Sequence, residues 1–279
     1  MRITTLVENV STDPLLGSEH GLSLWIETES RKILFDSGAT TLFEENARVL
    51  GVDLSKADFA VLSHGHWDHS GGMNRFLALN GHAPIYLKET ALGSFYSKRD
   101  EETLVYAGLD EELKQSDRFI FSDEYTDLGD GAFLFGRIEG TEFVPEGNRT
   151  LYVERDEVMT VDSFDHEHYL GIEENGEKVL FSGCSHLGIV NIVEQYRLLK
   201  GHYPTRVIGG FHLSKIDPHK SEDFHILKEI AARLLESGAI FYTGHCTGEE
   251  SYQILKEYMQ EHLEYLPTGR VLEFPEELP

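Results

Sequence analysis

The chain has 279 residues, 40% of them hydrophobic, enough to bury one sizeable core, so disorder is not expected. Its formal charge of −25, from 49 acidic residues against 24 lysines and arginines with no basic run, would repel a phosphate backbone and argues against nucleic acid as a partner. No apolar run approaches the ~18 residues that span a bilayer, and the opening Met1-Arg2-Ile3-Thr4-Thr5-Leu6 lacks the apolar stretch of a secretion signal; a cytoplasmic protein with no membrane partner is expected.

In chain order, Ile3 to Val7 and the alternating Leu22, Leu24 and Ile26 predict a hairpin across a polar loop at 8–21. Lys32-Ile33-Leu34-Phe35 is a third strand ending at Asp36-Ser37-Gly38, residues 41–50 read as helix, and Ala57 to Leu62 is a short apolar strand. That strand runs straight into Ser63-His64-Gly65-His66, and a loop after a strand is where chemistry gathers. Residues 89–130 turn charged and aromatic and read as a partly helical insertion, either a surface excursion or a lid over a site. Further strands are expected at Tyr169 to Ile172, Val179 to Phe181, Val207 to Ile208 and Ile240 to Tyr242. Between the last two, Phe224, Leu227, Ile230, Ala231, Leu234 and Leu235 share one face of a helix over Ser221 to Glu236, a spacing that marks core. No repeat or linker divides 1–279, so one domain is expected, with no signal for oligomeric state.

His64-Gly65-His66-Trp67-Asp68-His69 packs three imidazoles and a carboxylate into six residues. These are ligands that zinc and related first-row divalent ions accept, and the glycine lets side chains two apart converge. Two ligand sets, His64 with His66 and Asp68 with His69, suggest two ions sharing a water whose pKa falls toward ~7, which makes a hydroxide nucleophile available at neutral pH. One loop cannot close two coordination spheres. The candidates elsewhere are Gly183-Cys184-Ser185-His186, Gly209-Gly210-Phe211-His212 and Gly244-His245-Cys246, each after a short apolar strand. Two cysteines are too few for a disulfide framework; Cys184 suits metal chemistry, and Cys246 reads as a small buried thiol.

The motif resembles the H-x-H-x-D-H signature of the metallo-β-lactamase superfamily, matched by His64, His66, Asp68 and His69. Asp36-Ser37-Gly38 resembles the family's D-x-G turn and His245 its last histidine ligand. The resemblance implies an α/β fold, a four-layer αββα sandwich with metals at one edge. Val7-Glu8-Asn9, Gly21-Leu22-Ser23 and Gly183-Cys184-Ser185-His186 resemble a narrower group, the one containing the archaeal enzyme that joins a dihydropterin to ribofuranosylaminobenzene phosphate. Cys184 stands where many members carry a bridging aspartate, and a thiolate there would take its place. Either His166, in Asp165-His166-Glu167-His168, or His186 would complete the first ion's ligands.

The function expected is therefore a metal-dependent, hydrolase-like enzyme holding two divalent transition metals, with zinc first and manganese or iron as alternatives. Its substrate would be a small molecule, with a phosphate-bearing one in view. Metal ligands are expected among His64, His66, Asp68, His69, Cys184, His186 and His245; Asp68 would also orient water, and His166, His212 and Lys215 would contact substrate. Alternatives are the pterin-joining transferase, a di-iron oxidoreductase, against which His66 stands in place of that group's glutamate, and a metal-binding sensor without turnover.

Overall fold

A computed structural model describes residues 1–100, 102–214 and 222–274, whose strands form two seven-stranded sheets and one of four. The first large sheet runs, in spatial order, Val271–Glu273, Arg2–Val7, Ser23–Glu27, Lys32–Phe35, Phe59–Val61, Ile85–Leu87 and Phe119–Phe121. The second runs Leu263–Tyr265, Ile240–Thr243, Arg206–Ile208, Glu177–Phe181, Tyr169–Glu174, Ala132–Phe135 and Tyr125–Gly129. All strands expected from the sequence are present, as are helices at Leu42–Val49 and Phe224–Leu235.

Side-chain alternation decides the layering. Along Lys32–Phe35, Ile33 and Phe35 enter a cluster shared by the two sheets, while Leu34 turns to the cluster holding Phe43, Met73 and Phe76 of the helices beneath. The second sheet mirrors this. Leu134, Leu170, Val179 and Ile208 face the first sheet, and Phe133, Leu180, Val207 and Phe241 pack under helices Ile189–Lys200, Phe224–Leu235 and Glu249–Met259. The result is the αββα sandwich. In Phe224–Leu235 the core face is Leu227, Ile230, Ala231 and Leu234; Phe224 is 47% exposed, because its first-turn position lies beyond the edge of the packed layer.

Segment 89–130 is not the partly helical unit the composition suggested. Helix is confined to the short 3-10 turns Glu89–Leu92 and Leu113–Gln115. Phe119–Phe121 and Tyr125–Gly129 become edge strands of the two large sheets, while Ser94–Lys98 and Leu104–Tyr106 join Leu151–Arg155 and Val158–Val161 in the small sheet. The physical reason is pairing over long range: Tyr96 lies opposite Tyr152, a contact that charge composition does not encode. No helix among the described residues is long and apolar enough to cross a membrane.

Candidate metal centre

Parallel pairing puts the loops at one edge. Lys32–Phe35 lies parallel to Phe59–Val61, and Glu177–Phe181 parallel to Arg206–Ile208 and then Ile240–Thr243. Their carboxyl ends release Asp36, the His64 to His69 segment, Cys184 to His186, His212 and His245 at the same rim. Two glycines permit the close approach. A Cβ on Gly71 would sit 2.0 Å from the Ala39 carbonyl oxygen; one on Gly183, at φ +61°, would sit 2.4 Å from Ser63 Oγ.

Four of the converging imidazoles are held through Nδ1. His69 Nδ1 faces Asp36 Oδ2 at 2.7 Å, His245 Nδ1 faces Asn9 Oδ1 at 2.9 Å, and His186 Nδ1 faces Asn148 Oδ1 at 3.0 Å. His64 Nδ1 lies 2.9 Å from Ser63 Oγ, which itself donates to Asp36 Oδ2 at 2.7 Å. These acceptors assign the proton to Nδ1 in each ring and turn the Nε2 lone pair inward. His64 Nε2 and His186 Nε2 are buried with no hydrogen-bond partner, and His69 Nε2 faces His245 Nε2 at 3.1 Å and Cys184 Sγ at 3.0 Å.

Two buried carboxylates fix the loops that carry these rings. Glu8 accepts from the His245 and Val10 amides at 2.5 and 2.7 Å and from the Tyr265 hydroxyl at 3.0 Å. Glu167 accepts from the His186 and Leu187 amides at 2.9 and 3.1 Å and from the Tyr169 hydroxyl at 2.6 Å.

Burial, reinforced by the neighbouring rings of His69 and His66, holds His64 well below its ordinary value and so neutral. Burial also pushes His66 down to about 3 and holds His186 well below its ordinary value, where His212 adds to the effect. For His69 burial acts in the same direction, but Asp36 outweighs it and raises the value. Burial opposes ionisation of Asp68, yet the adjacent rings of His20 and His245 hold its carboxyl well below the carboxylate range. Burial pushes the Cys184 thiol up.

Several groupings have ligand atoms within 4.8 Å of one another and could hold an ion, among them His64, His66 and His186; His64, His69 and Cys184; and Cys184, His186 and His212. His20, Asp68 and His245 form another, with Asp68 Oδ2 at 3.2 Å from His20 Nε2 and 3.4 Å from His245 Nε2. Cys246, read as a bystander, groups with Cys184 and His245. His166 has no nitrogen to offer: Nδ1 accepts from the Gly65 amide at 3.0 Å and Nε2 pairs with Asp162 at 3.0 Å. It is fully buried and holds the His64 to His66 turn, which corrects the substrate-contacting role expected for it. His212 lines the cavity with its Nδ1 buried and unpartnered. Lys215 lies outside the described residues.

A metallo-beta-lactamase superfamily model matches residues 16–200. The chain belongs to that superfamily. It is 29% identical, over 98% of its own length and 97% of the relative's, to the 7,8-dihydropterin-6-methyl-4-(beta-D-ribofuranosyl)-aminobenzene-5'-phosphate synthase of Methanocaldococcus jannaschii. An uncharacterised protein of that organism, MJ0448, is 30% identical over 81% of this chain and 88% of its own. Among solved structures, Tm1679, described as a metal-dependent hydrolase of the beta-lactamase superfamily, superposes with a TM-score of 0.83 at 32% identity, covering 98% of this chain and 99% of the other.

Sequence reasoning found every strand-end histidine of the cluster and missed what orients them. Asn148 and Glu167 stand in no recognisable spacing with His186. His20 sits in a loop whose polar composition is ordinary. Glu8 and Asn9 were noticed only as part of a resemblance, with no role attached.

Proposed function

We infer that the protein is a metal-dependent hydrolase with a two-ion centre, acting on a small-molecule substrate in the cytoplasm. The observation that carries this reading is the convergence of lone pairs. His64 Nε2 and His186 Nε2 are buried and unpartnered, while His69 Nε2 and His245 Nε2 face each other at 3.1 Å with both Nδ1 atoms committed elsewhere. Nε2 lone pairs brought this close repel unless a cation or proton lies among them.

His64, His66 and His186 would hold one ion, and Asp68, His69, Cys184 and His245 the other. A mixed N, O and S donor set fits zinc first, with manganese or iron as alternatives. When bound, divalent ions in such a site supply Lewis acidity and acidify water toward a pKa of ~7. The chain's own groups do the rest. Asp68, whose Oδ2 lies 3.2 Å from His20 Nε2, orients the attacking water, and His212 offers its unpartnered Nδ1 to the substrate.

The test is elemental analysis with an activity screen of phosphoesters, thioesters, lactones and β-lactams, before and after chelation. Up to two ions per chain are expected, with clear loss in the His64→Ala, His66→Ala double variant. Unchanged metal content in that variant would contradict the site. A second reading, a transferase joining a pterin to a ribofuranosylaminobenzene phosphate-like substrate, draws on the archaeal synthase that aligns along 98% of the chain. Product analysis separates the two, since condensation joins substrates and hydrolysis consumes water.

A further inference from the structure

The histidine cluster opens into a cavity of 490 Å³ whose lining includes Asp68, Trp67, Ser97, Arg99 and Thr150. In a chain with 49 acidic residues, Asp68 is the one carboxylate among the described lining residues, and it is already engaged by His20 and His245. Arg99 is the one lysine or arginine among them.

The other arginines are all occupied. Of thirteen in the chain, eleven pair with carboxylates: Arg2, Arg31, Arg48, Arg75, Arg137 and Arg149 in one group of ion pairs. Arg155, Arg197, Arg206, Arg233 and Arg270 complete the eleven. Arg118 donates to main-chain carbonyls. Arg99 alone has no side-chain partner among the described residues. Its neighbour Asp100 does not fill that role, because its carboxylate accepts from the Glu102 and Thr103 amides at 2.9 and 2.8 Å and from the Thr103 hydroxyl at 2.9 Å. With twice as many acids as bases, a guanidinium that no described carboxylate meets at the mouth of a histidine-lined cavity needs a local cause.

The small sheet supplies one. Ser97 and Arg99 are two apart on a strand and its extension, so both side chains fall on the face turned to the cavity. Ser97 pairs with Leu151, which brings Thr150 alongside, and the Arg99 amide donates to the Thr103 carbonyl at 2.9 Å, fixing the main chain beneath the guanidinium.

We propose that Arg99 anchors an anionic group of the substrate, a phosphate or a carboxylate, on the part of the molecule that projects from the histidine cluster toward the small sheet. This rests on reading the cavity as the substrate site. The guanidinium fork matches two oxygens of either group, and phosphate, with the greater charge, is the stronger ligand.

The experiment follows Trp67 fluorescence, since Trp67 lines the same cavity while the other tryptophan, Trp25, is 2% exposed in the core. Inorganic phosphate, and acetate in parallel, are titrated into the metal-loaded protein, R99A and R99K. The same series is run on the His64→Ala, His66→Ala double variant, or on chelator-stripped protein if that variant does not fold. Phosphate affinity should fall about tenfold in R99A, the loss of one charge-assisted contact, and less in R99K, with metal content unchanged. The loss should recur when R99A is added to the metal-site variant. Tighter acetate than phosphate binding would assign the anchor to a carboxylate. Equal phosphate and acetate affinities in wild type and R99A, or no binding of either anion to wild type, would overturn the proposal. Absence of metal from the wild-type protein would instead overturn the two-ion reading, since the Arg99 comparison in stripped protein does not depend on it.

Discussion

Two histidine-rich segments of this chain meet at the same rim and do opposite things. In the first, His64 and His69 point imidazoles inward, His64 Nε2 unpartnered and His69 Nε2 facing His245 Nε2. The histidines of Asp162 to His168 are buried as deeply, but every ring nitrogen is satisfied: His166 between Gly65 and Asp162, His168 between Ser122 at 2.7 Å and the Leu62 carbonyl at 2.9 Å. Burial pushes His168 down to about 3, as it does His66, so neither burial nor titration separates a candidate ligand from a strut. The hydrogen-bond account of each nitrogen does.

Variants can sharpen that contrast. The largest effect is expected at Asp68: Asp68→Asn should lower kcat on the order of 10²-fold or more while the thermal midpoint barely moves, because the charge acts mainly in the transition state. An equal collapse of folding would make Asp68 a structural residue. On the other side of the contrast, His166→Ala leaves the Gly65 amide and Asp162 unpaired in the interior and should cost about 2–4 kcal/mol, read from denaturant unfolding. A smaller effect is expected at Asn148→Ala, which frees His186 Nδ1 and should weaken metal binding about 10-fold to 100-fold in competition with a chelating dye. Smallest is Ser63→Ala, which breaks the relay from His64 to Asp36 at about 1 kcal/mol.

The contrast also shows what the sequence could carry. Strand-period alternation marks four strands of each large sheet, and within Lys32–Phe35 the residues Ile33, Leu34 and Phe35 report on two different neighbouring layers. The strand-end histidines were legible for a related reason: a short apolar run followed by glycine and histidine is a local pattern. What stayed hidden is long range. The choice between His166 and His186 depends on Asp162, Gly65 and Asn148, and Asn148 lies 38 residues from the ring it orients. Charge and aromatic content at 89–130 suggest a partly helical insertion, whereas pairing with 151–161 makes part of it a sheet beside the cavity. Arg99 is invisible for the same reason, since a cation without a side-chain partner among the described residues is defined by what fails to approach it.

The most direct test sets the two histidines against each other. Elemental analysis of purified His186→Ala and His166→Ala, each checked for folding by circular dichroism, should find that His186→Ala has lost about half of the bound metal, one ion of two, while His166→Ala keeps the wild-type content despite its lower stability. Full metal in His186→Ala together with loss in His166→Ala would contradict the account at its centre.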